Sequence, residues 1–320
     1  MIKKTLFFSN PTYLSLDKHQ MVIKLPEVET AAVPDSLKRE SVRTIPVEDI
    51  GVVVLEHKRI TLTHGLIEAL LENNCALITC DSRGLPVGLM LPLYGNATQN
   101  ERFRAQLDAS LPLKKQLWQQ TIQAKIANQA SVLEWIMRRK AVDLQFPKTC
   151  VAGNMRKWVS EVRSGDPDNL EARAAAYYWR NLFPDIPDFT RDREGIPPNN
   201  LLNYGYAILR AVIARSLVGS GMLPTLGIHH HNRYNAYCLA DDIMEPYRPY
   251  VDRLVLGIMD SVVGYSELTK EIKAQLLRIP VLDVCIAGKQ SLLMIAATQT
   301  TASLFRCFNG ESRKIVYPEI

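Results

Sequence analysis

The stretch Gly227-Ile228-His229-His230-His231-Asn232, followed by Asp242-Ile243-Met244-Glu245-Pro246-Tyr247-Arg248-Pro249, decides how the second half of this 320-residue chain is read. It sets an imidazole just ahead of a helical segment whose carboxylates Asp242 and Glu245 stand i,i+3 apart and project from one side. Continuing that stripe reaches Pro249 and Asp252, while Ala240, Ile243, Met244, Tyr247, Val251, Leu254, Val255 and Ile258 form an apolar stripe. The helix is therefore expected to bury one face and keep an acidic one. Pro246 has no N–H for the carbonyl of Asp242, so the helix should be distorted beside its acids.

Working outward, helical periodicity extends through Leu117, Ile122, Ile126, Val132, Leu133, Trp135 and Ile136, and again through Leu201 to Val218 and Ala236 to Met259. The chain before it reads differently. Thr5 to Phe8, Tyr13 to Leu16, Met21 to Leu25, Thr44 to Val47 and Val52 to Glu56 are short runs rich in β-branched and aromatic residues. A helix over Thr63 to Glu72, a strand over Ala76 to Cys80 and a turn at Asp81-Ser82-Arg83-Gly84 follow. The fold class is α+β: a small β-rich domain over 1–92, a linker over 93–100, and a larger all-α domain over 101–320. Asp185 to Pro198, rich in proline and charge, reads as a surface loop between helices.

With 47% hydrophobic and 22% charged residues the composition is that of a soluble globular protein. Six cysteines form no C-x-x-C pair and no regular framework, which argues against zinc ribbons and disulfide scaffolds and for a reducing compartment. The apolar run after Lys3-Lys4 is too short for a signal peptide, and no segment reads as a membrane span, so a cytoplasmic location is expected. Charge is unevenly spread. Between Glu101 and Arg163 twelve basic residues face five acidic ones, a local charge of +7 in a chain whose net charge is +5. Such a concentration can neutralise phosphates, and Arg138, Arg139, Lys140, Arg156, Lys157 and, outside it, Arg233 are the candidate DNA contacts. The competing reading is a set of solvated helix faces.

A hard divalent cation needs a further acid, and Asp168-Asn169-Leu170-Glu171 offers one at the start of a helix. Asp168 and Glu171 also have the spacing of a capping box, with Asp168 as N-cap. Likewise, the three adjacent histidines read equally well as solvated turn residues, and Asp242 and Glu245 as exposed acids.

Taken together, Glu171-x-x-Ala174-Ala175-x-Tyr177, Gly227-x-x-His230 and Leu239-Ala240-Asp241-Asp242-Ile243-Met244-Glu245-Pro246-Tyr247-Arg248-Pro249-x-Val251-Asp252 resemble the CRISPR-associated endonuclease-integrase of spacer acquisition. Leu202-Asn203-Tyr204-Gly205-Tyr206, Trp118-x-x-x-Ile122-x-x-Lys125-Ile126-x-Asn128-Gln129 and Cys80-Asp81-x-x-x-Leu85-Pro86 extend the likeness over nearly the whole chain. Asp-Ile-Met-Glu-Pro resembles the branch that accompanies type II systems.

The resemblance places the family's metal ligands, which are also its catalytic residues, on Glu171, His230 and Glu245. Asp242 is a further candidate acting through a water, and Arg248 a candidate for orienting a phosphate. One imidazole and two carboxylates suit Mg²⁺ or Mn²⁺. Tyr204 and Tyr206 could stack near a DNA end or simply pack in the core. The resemblance further implies insertion of captured double-stranded DNA into a CRISPR repeat by 3′-hydroxyl attack. It implies a homodimer formed through the β domain, and a heterohexamer with a small ferredoxin-like partner. Two other readings stay open: a stand-alone structure-selective nuclease, and a non-catalytic DNA scaffold.

Overall fold

The computed structural model describes residues 2–26, 28, 41–140, 150–262 and 264–320. Asp143 and Lys148, counted in the basic stretch, lie outside the described residues, as does the side chain of Lys140. The chain divides into two compact units, Met1–Gly95 and Asn96–Ile320.

The first unit holds two four-stranded sheets. One joins β1 (Lys4–Phe8), β5 (Ile50–Leu55), β7 (Ala76–Cys80) and β8 (Pro86–Met90) in the order β1-β5-β7-β8, parallel except for β7 and β8. The other joins β4 (Arg43–Pro46), β3 (Gln20–Lys24), β2 (Thr12–Asp17) and β6 (Ile60–Leu62). β5 is central, and its run Val52-Val53-Val54 is fully buried, as expected of a strand covered on both faces. Helix α1 (His64–Glu72) brings Leu66 and Leu70 onto a core of Leu14, Met21, Val47, Ile50, Val53, Cys75 and Leu77. The expected turn after β7 forms because Asp81 Oδ1 accepts from the N–H groups of Arg83 and Leu85, with Gly84 at φ 73°.

The second unit is mostly helical. Its elements are α2 (Gln99–Leu107), α3 (Leu111–Lys140), α4 (Cys150–Glu161), α5 (Leu170–Leu182), α6 (Asn199–Gly219), α7 (Cys238–Met244), α8 (Arg248–Ser261), α9 (Lys270–Leu276) and α10 (Leu293–Phe308). α3 runs thirty residues without a glycine, and Pro112 sits in its first turn, where no N–H is required of it. One stripe of α3 buries Trp118, Ile122, Lys125, Ile126, Gln129 and Leu133, so a lysine and a glutamine share the core face with apolar side chains. α6 is long and apolar enough to cross a membrane by length and composition, which the sequence reading did not register. Most of it, 78% of the window, is buried inside this unit, so its apolarity is that of a core helix. Gly205 on α6 permits close approach to α8, since a Cβ there would collide with Val251.

The expected all-α character of this unit needs correction. β9 (Asp283–Ile286), β10 (Lys289–Leu292) and β11 (Pro318–Glu319) form a three-stranded antiparallel sheet within it. The β9–β10 hairpin turns through Ala287 and Gly288 at φ 51° and 71°, a type I′ turn lacking its usual Asn-Gly signal, and the strands are too short for periodicity to reveal.

Candidate metal centre

The helix expected to span Ala236 to Met259 is two helices. α7 closes at Met244, the N–H of Glu245 turns back to the carbonyl of Asp242, a 3₁₀ turn covers Glu245–Tyr247, and α8 starts at Arg248. The distortion expected of Pro246 thus takes the form of a joint, and Asn128 on α3 donates to the Pro246 carbonyl at 2.8 Å. The expectation of an exposed acidic face does not hold: Asp241, Asp242, Glu245 and Asp252 are all buried. Each is held by partners, because an unpaired carboxylate could not be buried without them.

Asp242 is wholly buried and organises the histidine turn. Its Oδ2 accepts from the N–H groups of Ile228 (2.7 Å) and His229 (2.9 Å), while Oδ1 accepts from His230 N–H at 3.2 Å and meets His230 Nδ1 at 2.5 Å. With both oxygens so occupied, Asp242 acts as the support of His230 rather than as a ligand candidate, and directs the ring's Nε2 outward. That hydrogen bond, opposed by burial, holds the His230 pKa above its ordinary value. Burial and the neighbouring His230 push His229 the other way. Gly227 belongs to the same device, because a Cβ there would run into the His230 carbonyl and Asp242 Oδ2. Beneath the turn, the Trp118 ring stacks parallel to His229 at 4.1 Å and meets His230 edge-on at 5.6 Å.

The capping alternative for Glu171 also resolves. Asp166, not Asp168, closes the start of α5: its two oxygens accept from the N–H groups of Leu170 and Glu171 at 2.9 Å each. Asp168 pairs with Arg163 instead. The Glu171 carboxylate is therefore released from backbone duty and turns to Lys125. Lys125 Nζ lies 2.8 Å from Glu171 Oε1 and 2.6 Å from Glu245 Oε2, and Arg248 Nη2 lies 3.0 Å from Glu245 Oε1. Burial raises Glu245, but Arg248 and Lys125 outweigh it and hold the carboxyl below its ordinary value. Burial would likewise lower Lys125, yet Glu245 and Glu171 keep it raised.

Glu171, His230 and Glu245 line one cleft of about 990 Å³, together with Lys125, Gln129, Arg180, Arg191, Arg248 and Asp252. The donor chemistry of one imidazole and two carboxylates suits a hard divalent cation, and the buried Glu245 Oε2 already meets a cation, the Lys125 ammonium, at 2.6 Å. Among the described residues, no three His, Cys, Asp or Glu side chains converge closely enough to hold a metal as they stand. The ammonium of Lys125 lies between the two carboxylates.

A family model described as CRISPR associated protein Cas1 matches residues 6–270. The chain belongs to the Cas1 family. The CRISPR-associated endonuclease Cas1 of Neisseria meningitidis serogroup C (strain 8013) is 35% identical over 322 residues, covering 100% of this chain and 97% of that one. Among solved structures, a casposase bound to integration product matches with a TM-score of 0.74 at 19% identity, covering 98% of this chain and 92% of its own. A Cas6-RT-Cas1–Cas2 complex contains a chain matching with a TM-score of 0.73 at 20% identity, over 99% of this chain and 36% of that one.

Other candidates of this Cas1-family chain fall in varied surroundings. Arg248 is committed to Glu245 and lies over the Tyr206 ring at 4.8 Å. Arg156 grips Glu134 through two nitrogens (3.0 and 3.1 Å) and also donates to Ala127 O and Ser131 Oγ, so it staples α4 to α3 rather than presenting an open guanidinium. Arg139 pairs with Asp260, Lys157 stands 3.8 Å from Glu161, and Arg138 and Arg233 are exposed. Arg233 lies instead over the Tyr234 ring. Tyr204 is buried, as is Tyr206, whose hydroxyl donates to Asp252; both belong to the core. The 185–198 loop is more than surface, since Phe189 is buried and Arg191 lines the cleft while donating to Asn199 and Asn203. Sequence reasoning passed over Lys125 as a site residue. A lysine on the apolar stripe of α3 was the available signal.

Asp252 carries a separate consequence. It accepts from Tyr178 (2.9 Å) and Tyr206 (2.5 Å), and burial pushes its carboxyl up to about 7 despite these donors. An unfolded aspartate titrates near pH ~3.9, so the folded chain holds this proton more tightly. The resulting stability is full at low pH and is lost as pH rises toward about 7, a change of about 4 kcal/mol. Asp252→Asn should flatten the decline of melting temperature between pH 5 and 8. Equal declines in both proteins would refute this.

Proposed function

We propose that this protein is a metal-dependent DNA endonuclease and integrase that inserts captured double-stranded DNA into a CRISPR repeat. The observation that carries the reading is that Glu171, His230 and Glu245, from three separated parts of the chain, line one cleft that also presents Lys125, Arg180 and Arg191. Glu171, His230 and Glu245 would hold Mg²⁺ or Mn²⁺, which supplies polarisation of a scissile phosphodiester and stabilises its developing charge. Asp242 keeps His230 oriented, Arg248 keeps Glu245 ionised and placed, and the basic groups of the cleft receive phosphate oxygens. The attacking group decides the outcome: water gives cutting, and a 3′-hydroxyl of bound DNA gives strand transfer. The name of the Neisseria relative supports the first, and the likeness to a casposase bound to integration product supports the second.

The Cas1–Cas2 complex among the structural matches supports assembly with a small partner protein, which we take to be ferredoxin-like, around two homodimers in a heterohexamer. Cys238, Cys285 and Cys307 are free thiols, in keeping with a reducing cytoplasm.

The test is incubation of the protein and its partner with a short 3′-hydroxyl duplex, a supercoiled repeat plasmid and Mn²⁺. Covalent joining of duplex to plasmid is the expected product. Nicking without joining would favour a stand-alone nuclease, and metal-indifferent binding without either product a scaffold.

DNA affinity gives a second check. Neutralising Arg138, Arg139, Lys140 and Lys157 together should weaken binding to unrelated duplexes about equally. The log-log salt slope should fall by ~0.9 for every phosphate that the variant no longer neutralises. An unchanged slope would move the DNA path toward Arg233. Arg156→Ala should instead register as reduced stability.

A further inference from the structure

We propose that Lys125 is a built-in counter-cation that holds the metal position between Glu171 and Glu245, and that metal enters by displacing its ammonium into the cleft. This rests on the reading of Glu171, His230 and Glu245 as metal ligands. Lys125 is 7% exposed and reaches both carboxylates, at 2.8 and 2.6 Å, from the middle of α3. It brings one oxygen of each acid to a shared cation, and the same two acids would hold a divalent ion. The two cations cannot share that position, because like charges at such separation repel. Among the described residues, no three acidic or imidazole side chains converge as they stand. The ammonium lies between the two acids, and the Nδ1 of His230 rests on Asp242.

The arrangement has two consequences. Before metal arrives, Lys125 bridges the buried Glu245 and the partly exposed Glu171, and Arg248 adds a second cation to Glu245, so that the two acids do not repel and splay. When metal arrives, the displaced side chain has somewhere to go, since Lys125 already lines the cleft. Metal affinity is correspondingly reduced by the fraction of molecules in which the position is taken.

Titration calorimetry with Mn²⁺ on the full-length wild type, Glu171→Gln and Lys125→Met tests the idea without reference to activity. Wild type should bind, Glu171→Gln should bind far more weakly, and Lys125→Met should bind at least tenfold tighter than wild type. Lys125→Met should also melt below wild type without metal and gain more from saturating Mn²⁺. The wild-type protein supplies an arm independent of whether that variant folds. Acetylation by an N-hydroxysuccinimide ester, mapped by peptide mass spectrometry, should rise severalfold at Lys125 on adding Mn²⁺ while the exposed Lys115 stays constant. If wild type and Glu171→Gln bind Mn²⁺ alike, or neither binds, the ligand reading itself fails. If wild type binds through Glu171 but folded Lys125→Met binds no tighter, or Lys125 labelling does not rise, only the displacement proposal fails.

Discussion

Glu171→Ala and His230→Ala should each lower phosphodiester cleavage and strand transfer by roughly a hundred- to a thousandfold, the effect of removing a transition-state charge stabiliser. Neither change should unfold the protein. The start of α5 is closed by Asp166, so loss of the Glu171 side chain leaves its backbone N–H satisfied. His230 can be removed without orphaning Asp242, which still accepts from three backbone N–H groups. Glu245 requires a gentler substitution. Glu245→Ala would leave Lys125 and Arg248 without the acid that both contact, a loss of about 3–5 kcal/mol by analogy with broken buried pairs, whereas Glu245→Gln keeps the shape and removes the charge. Plasmid joining measured beside thermal unfolding separates the two effects. Retained activity in His230→Ala would shift the imidazole role to His229 or His231.

Asp242→Ala should be the most damaging single change outside the proposed ligands. It leaves the N–H groups of Ile228, His229 and His230 without an acceptor, at about 1–3 kcal/mol for each donor that stays buried, and frees the His230 ring to rotate. Supports of this kind are worth roughly 10–100-fold in metal affinity, so Mn²⁺ binding should weaken by that factor in any fraction that folds. Asp242→Asn, able to satisfy some of the donors, should fall between. Gly227→Ala strikes the same turn from the other side, through collision with the His230 carbonyl, and should resemble Asp242→Ala in both melting temperature and metal affinity. A stable Asp242→Ala protein with unchanged Mn²⁺ affinity would show that His230 is positioned by something else, the Trp118 face being the available alternative.

Much of this was legible in the chain before any coordinates. The β-rich first unit showed itself in short β-branched runs, and the long helices in their apolar period, because secondary structure in both cases is set by which residues a repeating geometry places on a buried face. The distortion at Pro246 followed from a missing N–H. Residue types also limited the chemistry: an imidazole and two acids have few uses beyond a hard cation or a solvated surface, and the resemblance to a known family chose between them.

What only the tertiary structure decided was which acids are ligand candidates and which are supports. Asp168 has the spacing of a cap and Asp166, two residues before it, does not, yet Asp166 takes the role. Which of them caps α5 depends on Arg163 being in place to take Asp168. Asp242 and Glu245 are equivalent by spacing, yet one is consumed by the backbone of the histidine turn and the other faces Lys125. The role of Lys125 was invisible for the same reason. A lysine in an apolar stripe signals a buried charge but not its partners, which the fold brings from α5 and the 3₁₀ turn before α8, because a charge becomes tolerable in a core only through partners distant in sequence.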